Sequence, residues 1–188
     1  MVTYYSRFIH GASTIPTPLR CLLCRNTIFK WTSACEVAFL KLKQYIASDQ
    51  VLVPYDPDLP VQLACDASPT GIAGVQSHII DGSKDPIAFA SRSLTAAEQN
   101  YSQLDREALA TVFTANHFFQ YLFGSQFKLV TDNQPLTRIF NYWDALPKMT
   151  AGRLQRYAAF LSGYNYTIDF KEGIEISNVD CLSRAPAL

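Results

Sequence analysis

Five short apolar or alternating runs, each bounded by turn residues, predict five β-strands. They cover residues 61–66, 71–80, 86–91, 127–132 and 164–170. Asp81-Gly82, between the second and third runs, is typical of a hairpin turn. The order is three strands, a helix, a strand, helices, a strand and a short closing segment at 179–184. This order predicts an α/β domain with a five-stranded mixed sheet flanked by helices.

Apolar residues at helical spacing predict the helices between these strands. A long helix carries Leu104, Ala108, Thr111, Ala115 and Phe118 on one face, and a second helix spans 150–162. Before the first strand, a further helix is predicted from Cys35, Phe39, Leu42 and Ile46. Prolines within residues 1–30 favour short helical pieces and turns there, and three more prolines at 54–60 precede the sheet.

Composition is that of a folded chain: 48% of the 188 residues are hydrophobic and 17% are charged. Sixteen basic and sixteen acidic residues cancel, which argues against a nucleic-acid binder that is basic all over but leaves a local basic face open. Residues 1–43 hold six basic groups and one acid, so the remainder carries excess carboxylates. No apolar run has the length of a membrane span or signal peptide, so we expect a cytoplasmic or nuclear setting without membrane contact.

Four acidic residues stand at positions where an α/β fold can gather them. Asp66 and Asp132 end predicted strands, Glu107 borders the buried face of the long helix, and Asp180 opens the last segment. Like charges about 4 Å apart cost roughly 4 kcal/mol per pair at an effective dielectric near 20, and such a cluster becomes stable if hard cations fill it. Oxygen ligands suit Mg²⁺ or Mn²⁺, and two ions would support phosphodiester hydrolysis. Each residue also has an ordinary structural interpretation: a turn, a solvated helix face or an N-cap.

Six stretches occur in a fixed order along the chain: Asp66-Ala-Ser, Pro86-Ile-Ala-Phe-Ala-Ser-Arg-Ser-Leu94, Asn100-Tyr-Ser-Gln-Leu-Asp-Arg-Glu-Ala-Leu-Ala110, Tyr121-Leu-Phe-Gly124, Thr131-Asp-Asn-Gln-Pro-Leu136 and Asp180-Cys-Leu-Ser-Arg184. Together they resemble the ribonuclease H domain of gypsy-type LTR-retroelement reverse transcriptases. Tyr4 to Ile9 and Phe29-Lys-Trp31 look like the tail that joins the polymerase of that family to its nuclease. The resemblance implies a tail or connection segment at 1–30, as a helical extension, and a ribonuclease H-like domain at 31–188.

The resemblance also implies an activity. Asp66, Glu107, Asp132 and Asp180 match the family's catalytic carboxylates, which bind two divalent ions (Mg²⁺ or Mn²⁺) and hydrolyse the RNA strand of an RNA–DNA hybrid. Asn133 stands where the family usually has His. No Tyr-x-Asp-Asp sequence occurs, so this chain has no polymerase active site of its own.

Hybrid binding requires contacts to phosphates and to the RNA 2′-hydroxyl. Arg153 and Arg156 lie three residues apart on a predicted helix, with Lys148 and Arg138 flanking it, although such residues are also ordinary solvated charges. Ser68 and Asn133 adjoin the predicted carboxylates, and we predict substrate contacts for them too. Tyr142 and Trp143 suit either base stacking or the core.

Two functions therefore remain open. The first is a metal-dependent endoribonuclease acting on RNA–DNA hybrids, as the nuclease part of a Pol polyprotein whose polymerase is its partner, in the cytoplasm (within virus-like particles) or the nucleus. The second is a catalytically idle connection or interaction module of a retroelement-derived host protein. The sequence leaves dimerisation open.

Overall fold

A computed structural model describes residues 15–22, 24, 28–46, 48, 51–141, 152–172 and 177–184. The chain divides into two compact units, Met1–Val53 and Pro54–Leu188. Within the described ranges, no helix combines the length and the apolar character that crossing a membrane requires. The predicted boundary at residue 30 stays a prediction.

The second unit is built on a five-stranded mixed sheet, which confirms the predicted fold class. The strands stand in the order β3-β2-β1-β4-β5. β1 pairs antiparallel with β2 and parallel with β4, β2 pairs antiparallel with β3, and β4 pairs parallel with β5. Their bounds are β1 Val61–Ala67, β2 Gly71–Ile80, β3 Ser83–Ser93, β4 Gln126–Thr131 and β5 Asn165–Phe170.

Eight helices lie within the described residues: α1 Thr17–Cys21, α2 Ser33–Ile46, α3 Ala96–Gln99, α4 Gln103–His117, α5 Phe119–Leu122, α6 Gln134–Ile139, α7 Gly152–Leu161 and α8 Ser177–Arg184. The predicted long helix is α4, and the segment predicted at 150–162 contains α7. The one-turn helix α3 follows no apolar periodicity; the Thr95 side chain and Glu98 form a capping box that begins it.

The first unit contains α1 and α2, and the buried face of α2 differs from the prediction. Cys35, Ala38 and Leu42 are buried, whereas Phe39 is 47% exposed. The Phe39 ring lies edge-on to Trp31, with centroids 5.9 Å apart. Aromatic contact at the surface therefore replaces burial for this residue, and the smaller Ala38 occupies the buried stripe.

β1 is buried along its whole length because apolar clusters cover both faces of the sheet. Leu63, Cys65 and Ala67 belong to the larger cluster, which includes residues of α4, and Ala64 belongs to the smaller cluster with Val179 of α8. This alternation follows from the two-residue period of a strand. The site described below lies where β1 and β4 end, between α4 on one face of the sheet and α8 on the other.

The contact between α4 and the sheet requires a glycine in β2. A Cβ placed on Gly74 would overlap the methyl group of Thr114 and lie 2.7 Å from its Cβ. Thr114 is fully buried, and its hydroxyl donates to the Ala110 carbonyl at 2.8 Å and contacts Cys65 Sγ at 2.9 Å. The hydrogen on Gly74 thus sets how closely α4 approaches β2.

Candidate metal centre

Strand register brings Asp66 and Asp132 together. The parallel ladder between β1 and β4 pairs Val61 with Phe127 and continues to Ala64 with Val130. Two residues further along, the same register places Asp66 of β1 beside Asp132, which directly follows β4. Both side chains thus emerge at the carboxyl end of two central parallel strands, the usual place for a ligand site in an α/β sheet.

Helix α4 supplies the third carboxylate. The Ser102 side chain accepts a hydrogen bond from the Asp105 amide and begins the helix, which packs on β1 and β2. Glu107 follows one turn later and is only 2% exposed. One carboxylate oxygen from each of Asp66, Glu107 and Asp132 lies within 4.8 Å of the others. The fold therefore joins three of the four predicted carboxylates in one cluster, which we call the acidic triad; Asp66 and Glu107 are buried and Asp132 is half-buried.

Asp180 lies at the rim of this cluster. It stands in the first turn of α8, which begins at Ser177, so the alternative that Asp180 is an N-cap is wrong. Its carboxylate accepts a hydrogen bond from Arg184 Nε at 2.7 Å. Its negative charge nevertheless contributes to the raised pKa of both Asp66 and Asp132. Its predicted role as a metal ligand stays a prediction.

The triad binds protons more tightly than isolated carboxyls do. Burial, followed by the charges of Asp66 and Asp132, raises the pKa of Glu107 to about 9. Burial also raises the pKa of Asp66 to about 6, with further upward contributions from Asp132 and Asp180 that a Ser183 hydrogen bond opposes. The pKa of Asp132 is raised for the same main reason, burial. Crowded negative charge is thus unfavourable here unless protons or cations offset it.

Two serines connect the site to α8. The Ser183 hydroxyl lies in a short contact with Asp66 Oδ2 and 3.0 Å from the Asp180 carbonyl. Ser68, predicted to contact substrate, is 5% exposed, and its hydroxyl donates to the Ser183 carbonyl at 2.7 Å. It also accepts from the Gly71 amide at 2.9 Å. Ser68 therefore holds the β1–β2 turn against α8, and its predicted substrate contact stays a prediction.

Gln103 and Ser183 contact the triad, although the residue patterns indicate a role for neither. Gln103 Nε2 donates to Glu107 Oε1 and, at 3.0 Å, to the Ala67 carbonyl. The available signal is their spacing: Gln103 precedes Glu107 by one helical turn, and Ser183 follows Asp180 by three residues within the last motif.

The donor set fits a hard divalent cation. All three groups of the triad offer oxygen, which Mg²⁺ and Mn²⁺ prefer, and none offers sulfur or nitrogen. Glu107 Oε2 is buried and has no hydrogen-bond partner among the described residues. A buried oxygen of this kind carries a desolvation cost that a bound cation would offset.

The other predicted substrate residues differ in their surroundings. The Arg153 guanidinium lies 3.6 Å above the Tyr101 ring and 3.5 Å from Asp105 Oδ1, so it already has partners. Arg156 is exposed on the same helix. Asn133 lies at the N-cap position of α6, without a side-chain capping bond. Arg138 is exposed in the last turn of α6, whereas Tyr142, Trp143 and Lys148 lie outside the described residues.

Comparison with known proteins identifies the class of protein to which this fold and site belong. A family model described as an RNase H-like domain found in reverse transcriptase matches residues 31–129, more than half of the chain. The chain belongs to this family of reverse-transcriptase RNase H-like domains. It is 32% identical over 181 residues to the retrovirus-related Pol polyprotein from transposon 412 and 36% identical over 182 residues to that from transposon 297, both of Drosophila melanogaster. It is 33% identical over 187 residues to the transposon Tf2-3 polyprotein of Schizosaccharomyces pombe.

These alignments cover 96–97% of this chain but only 14–16% of each polyprotein. The chain therefore spans about one seventh of the length of the curated relatives that it matches.

Solved structures show the same fold. A foamy viral protease-reverse transcriptase solved in complex with double-stranded DNA superposes with a TM-score of 0.69 at 17% identity, covering 90% of this chain and 32% of that one. The N-terminal RNase H domain of a Mycobacterium tuberculosis protein, solved as a fusion with maltose binding protein, gives a TM-score of 0.53 at 12% identity. That match covers 68% of this chain and 93% of the other.

Proposed function

We propose that this chain is the nuclease part of a retroelement Pol polyprotein and hydrolyses the RNA strand of RNA–DNA hybrids with two Mg²⁺ or Mn²⁺ ions. The observation that carries this proposal is the acidic triad, in which the buried Glu107 of α4 meets Asp66 and Asp132 at the carboxyl ends of two adjacent parallel strands. An idle module gains no stability from three crowded carboxylates, whereas a hydrolase requires them to hold cations.

Asp66, Glu107 and Asp132 would hold the metal, with Asp180 at the rim as a further carboxylate. Ions bound there would supply Lewis-acid activation of water and stabilisation of the leaving oxygen in phosphodiester cleavage. The chain's own residues orient the ligands: Ser183 contacts Asp66, and Gln103 donates to Glu107. Because burial and the neighbouring carboxylates raise the pKa of Glu107 to about 9, this carboxyl holds a proton near neutral pH and would release it when a metal is bound.

Substrate binding would rest on a few cationic and polar groups rather than on net charge, which is zero. Arg156 and Arg138 are exposed and suit phosphate contacts. Asn133, which adjoins Asp132, suits a contact to the RNA strand. Arg153 already contacts Tyr101 and Asp105, and we assign it mainly to the support of α4.

A labelled-hybrid assay tests the proposal. We expect Mg²⁺-dependent shortening of the RNA strand by the wild-type chain and background signal from Asp66→Asn, since the amide cannot replace an anionic ligand. Equal signal from both proteins would exclude the catalytic interpretation. A wild-type chain that neither cleaves the hybrid nor binds Mn²⁺ would instead be the non-catalytic connection or interaction module.

A further inference from the structure

Gln103 lies at the surface over a buried carboxylate. The residue is exposed, yet its amide nitrogen reaches inward to Glu107 Oε1, and Glu107 is 2% exposed. The same nitrogen donates to the Ala67 carbonyl, at the end of β1, at 3.0 Å. One side chain thus connects α4 to the strand that carries Asp66.

The orientation of this amide is fixed by two neighbours with opposite requirements. Arg106 can only donate, and its Nη2 lies 2.7 Å from Gln103 Oε1. The Ala67 carbonyl can only accept, so it requires the Nε2 end. Both neighbours demand the same orientation, and that orientation directs the N–H groups toward Glu107. Arg106 is itself anchored, because its Nη1 donates to the Gln99 carbonyl at 3.3 Å.

The consequence for Glu107 is an asymmetric carboxylate. Oε1 receives the amide hydrogen bond, whereas Oε2 is buried and has no partner among the residues that the structure describes. A carboxylate held at one oxygen keeps a single rotamer and leaves the other oxygen for a cation. The remaining triad oxygens lie within 4.8 Å, so a small rotation of Glu107 would separate it from them.

We propose that Gln103 is a positioning residue, which, with its amide oriented by Arg106, holds Glu107 so that the unpartnered oxygen is presented to a divalent cation. This inference rests on the proposed function, since it presumes that the triad binds metal. Within α4, Arg106 therefore orients Gln103, and Gln103 orients Glu107.

Mn²⁺ binding to the full chain, measured by calorimetry, tests the proposal. Gln103→Met keeps the length of the side chain and removes the amide; we expect it to weaken Mn²⁺ binding about tenfold, the usual lower effect of losing a partner of a metal ligand. Gln120→Met is the matched control, because Gln120 is exposed on α5, beyond the opposite end of α4. We expect this control to bind Mn²⁺ as the wild type does.

A double-mutant cycle separates positioning from a general effect on the helix. We expect Arg106→Met to weaken Mn²⁺ binding when Gln103 is present and to have no further effect in the Gln103→Met background. Thermal unfolding without metal shows whether each variant is folded. Additive effects of the two substitutions, or wild-type affinity in Gln103→Met, would overturn the positioning role.

The proposed function can fail separately. If the wild-type chain binds no Mn²⁺, the metal-dependent function fails, and this inference fails with it. If the wild type binds Mn²⁺, Asp66→Asn does not, and Gln103→Met equals the wild type, then only the role of Gln103 is overturned.

Discussion

Replacing Asp66 with Asn should stabilise the metal-free protein at alkaline pH. Asp66 is 5% exposed and lies within 4.8 Å of two other acidic side chains, measured between the cluster's ligand atoms. Asn has nearly the same shape, can still accept the Ser183 hydrogen bond, and carries no charge. The substitution therefore removes the unfavourable charge while retaining the packing.

The raised pKa of Asp66 gives the magnitude and the sign. Folding raises the pKa of this carboxyl from 3.8 to about 6, so the folded chain holds the proton more tightly than the unfolded chain. Stability is then fully present below about pH 4 and declines as the pH rises through about 6. Because a difference of one in pKa corresponds to about 1.36 kcal/mol, the ionisation of Asp66 alone costs the wild-type chain about 3 kcal/mol of stability by pH 8. Asp66→Asn should not incur this loss.

Urea unfolding in EDTA, followed by circular dichroism at about pH 4 and pH 8, measures this difference. We expect equal stability of the two proteins at the lower pH and a gain of about 3 kcal/mol for Asp66→Asn at the higher pH. The gain corresponds to about 6–12 °C in Tm for a chain of this size. Adding Mg²⁺ should stabilise the wild type and not the variant, which narrows the gap.

Asp58→Asn serves as the control, since Asp58 is an exposed carboxylate in the loop before β1. Its stability should follow that of the wild type at both pH values. If Asp66→Asn is no more stable than the wild type at pH 8 in EDTA, the triad does not carry unfavourable charge in the absence of metal, and the reasoning is refuted.

Four further substitutions have expected outcomes. Gly74→Ala should destabilise the fold by about 1–3 kcal/mol in urea unfolding, because its methyl group would collide with Thr114; unchanged stability would show that α4 can move away. Ser183→Ala should raise the pH at which the stability of the metal-free protein declines, because the Ser183 hydrogen bond lowers the pKa of Asp66. An unchanged dependence of stability on pH would contradict that role. Arg156→Ala should keep wild-type stability and reduce the salt dependence of hybrid binding by about one phosphate contact. Arg153→Ala should instead lower Tm, because it loses the contact with the Tyr101 ring. A lower Tm for Arg156→Ala together with a reduced salt dependence for Arg153→Ala would reverse the two assignments.

Alternation and turn residues predicted all five strands but not every boundary. β3 is predicted over 86–91 and observed over Ser83–Ser93, because polar residues stand at both of its ends. β2, by contrast, is predicted and observed over the same residues, Gly71–Ile80. The chain order of its elements likewise confirms the α/β class. Short elements such as α3 depend on local capping hydrogen bonds, and no apolar period marks them.

The acidic triad shows how far sequence reasoning reaches toward a site. The positions of Asp66, Glu107 and Asp132 on their elements indicated that the three could meet, but each also had an ordinary structural interpretation. In the fold, the adjacent and parallel strands β1 and β4 bring the two aspartates together. The local polarity of the sequence could not indicate that Glu107 is almost fully buried. The burial of Glu107 depends on how closely α4 packs against the sheet, and Gly74 of β2 sets that distance.

Partners between distant side chains could not be predicted. Arg153 has the features of a phosphate-binding residue in the sequence, but the fold places it on the Tyr101 ring. Ser68 adjoins the site in sequence, yet its hydroxyl is bonded to a carbonyl of α8, 115 residues further along the chain. These contacts follow from tertiary packing, so the spacing of residues along the sequence could not predict them.

Cleavage of a hybrid with a labelled RNA strand tests the central claim most directly, with Glu107→Gln as the comparison. Glu107 is buried and contributes one of the three triad oxygens, so an amide there retains the shape and removes the ligand charge. We predict that the wild-type chain cleaves the RNA strand of the hybrid only when Mg²⁺ or Mn²⁺ is present, and that Glu107→Gln gives background signal. Cleavage by Glu107→Gln at the wild-type rate, or wild-type cleavage in EDTA, would contradict the account.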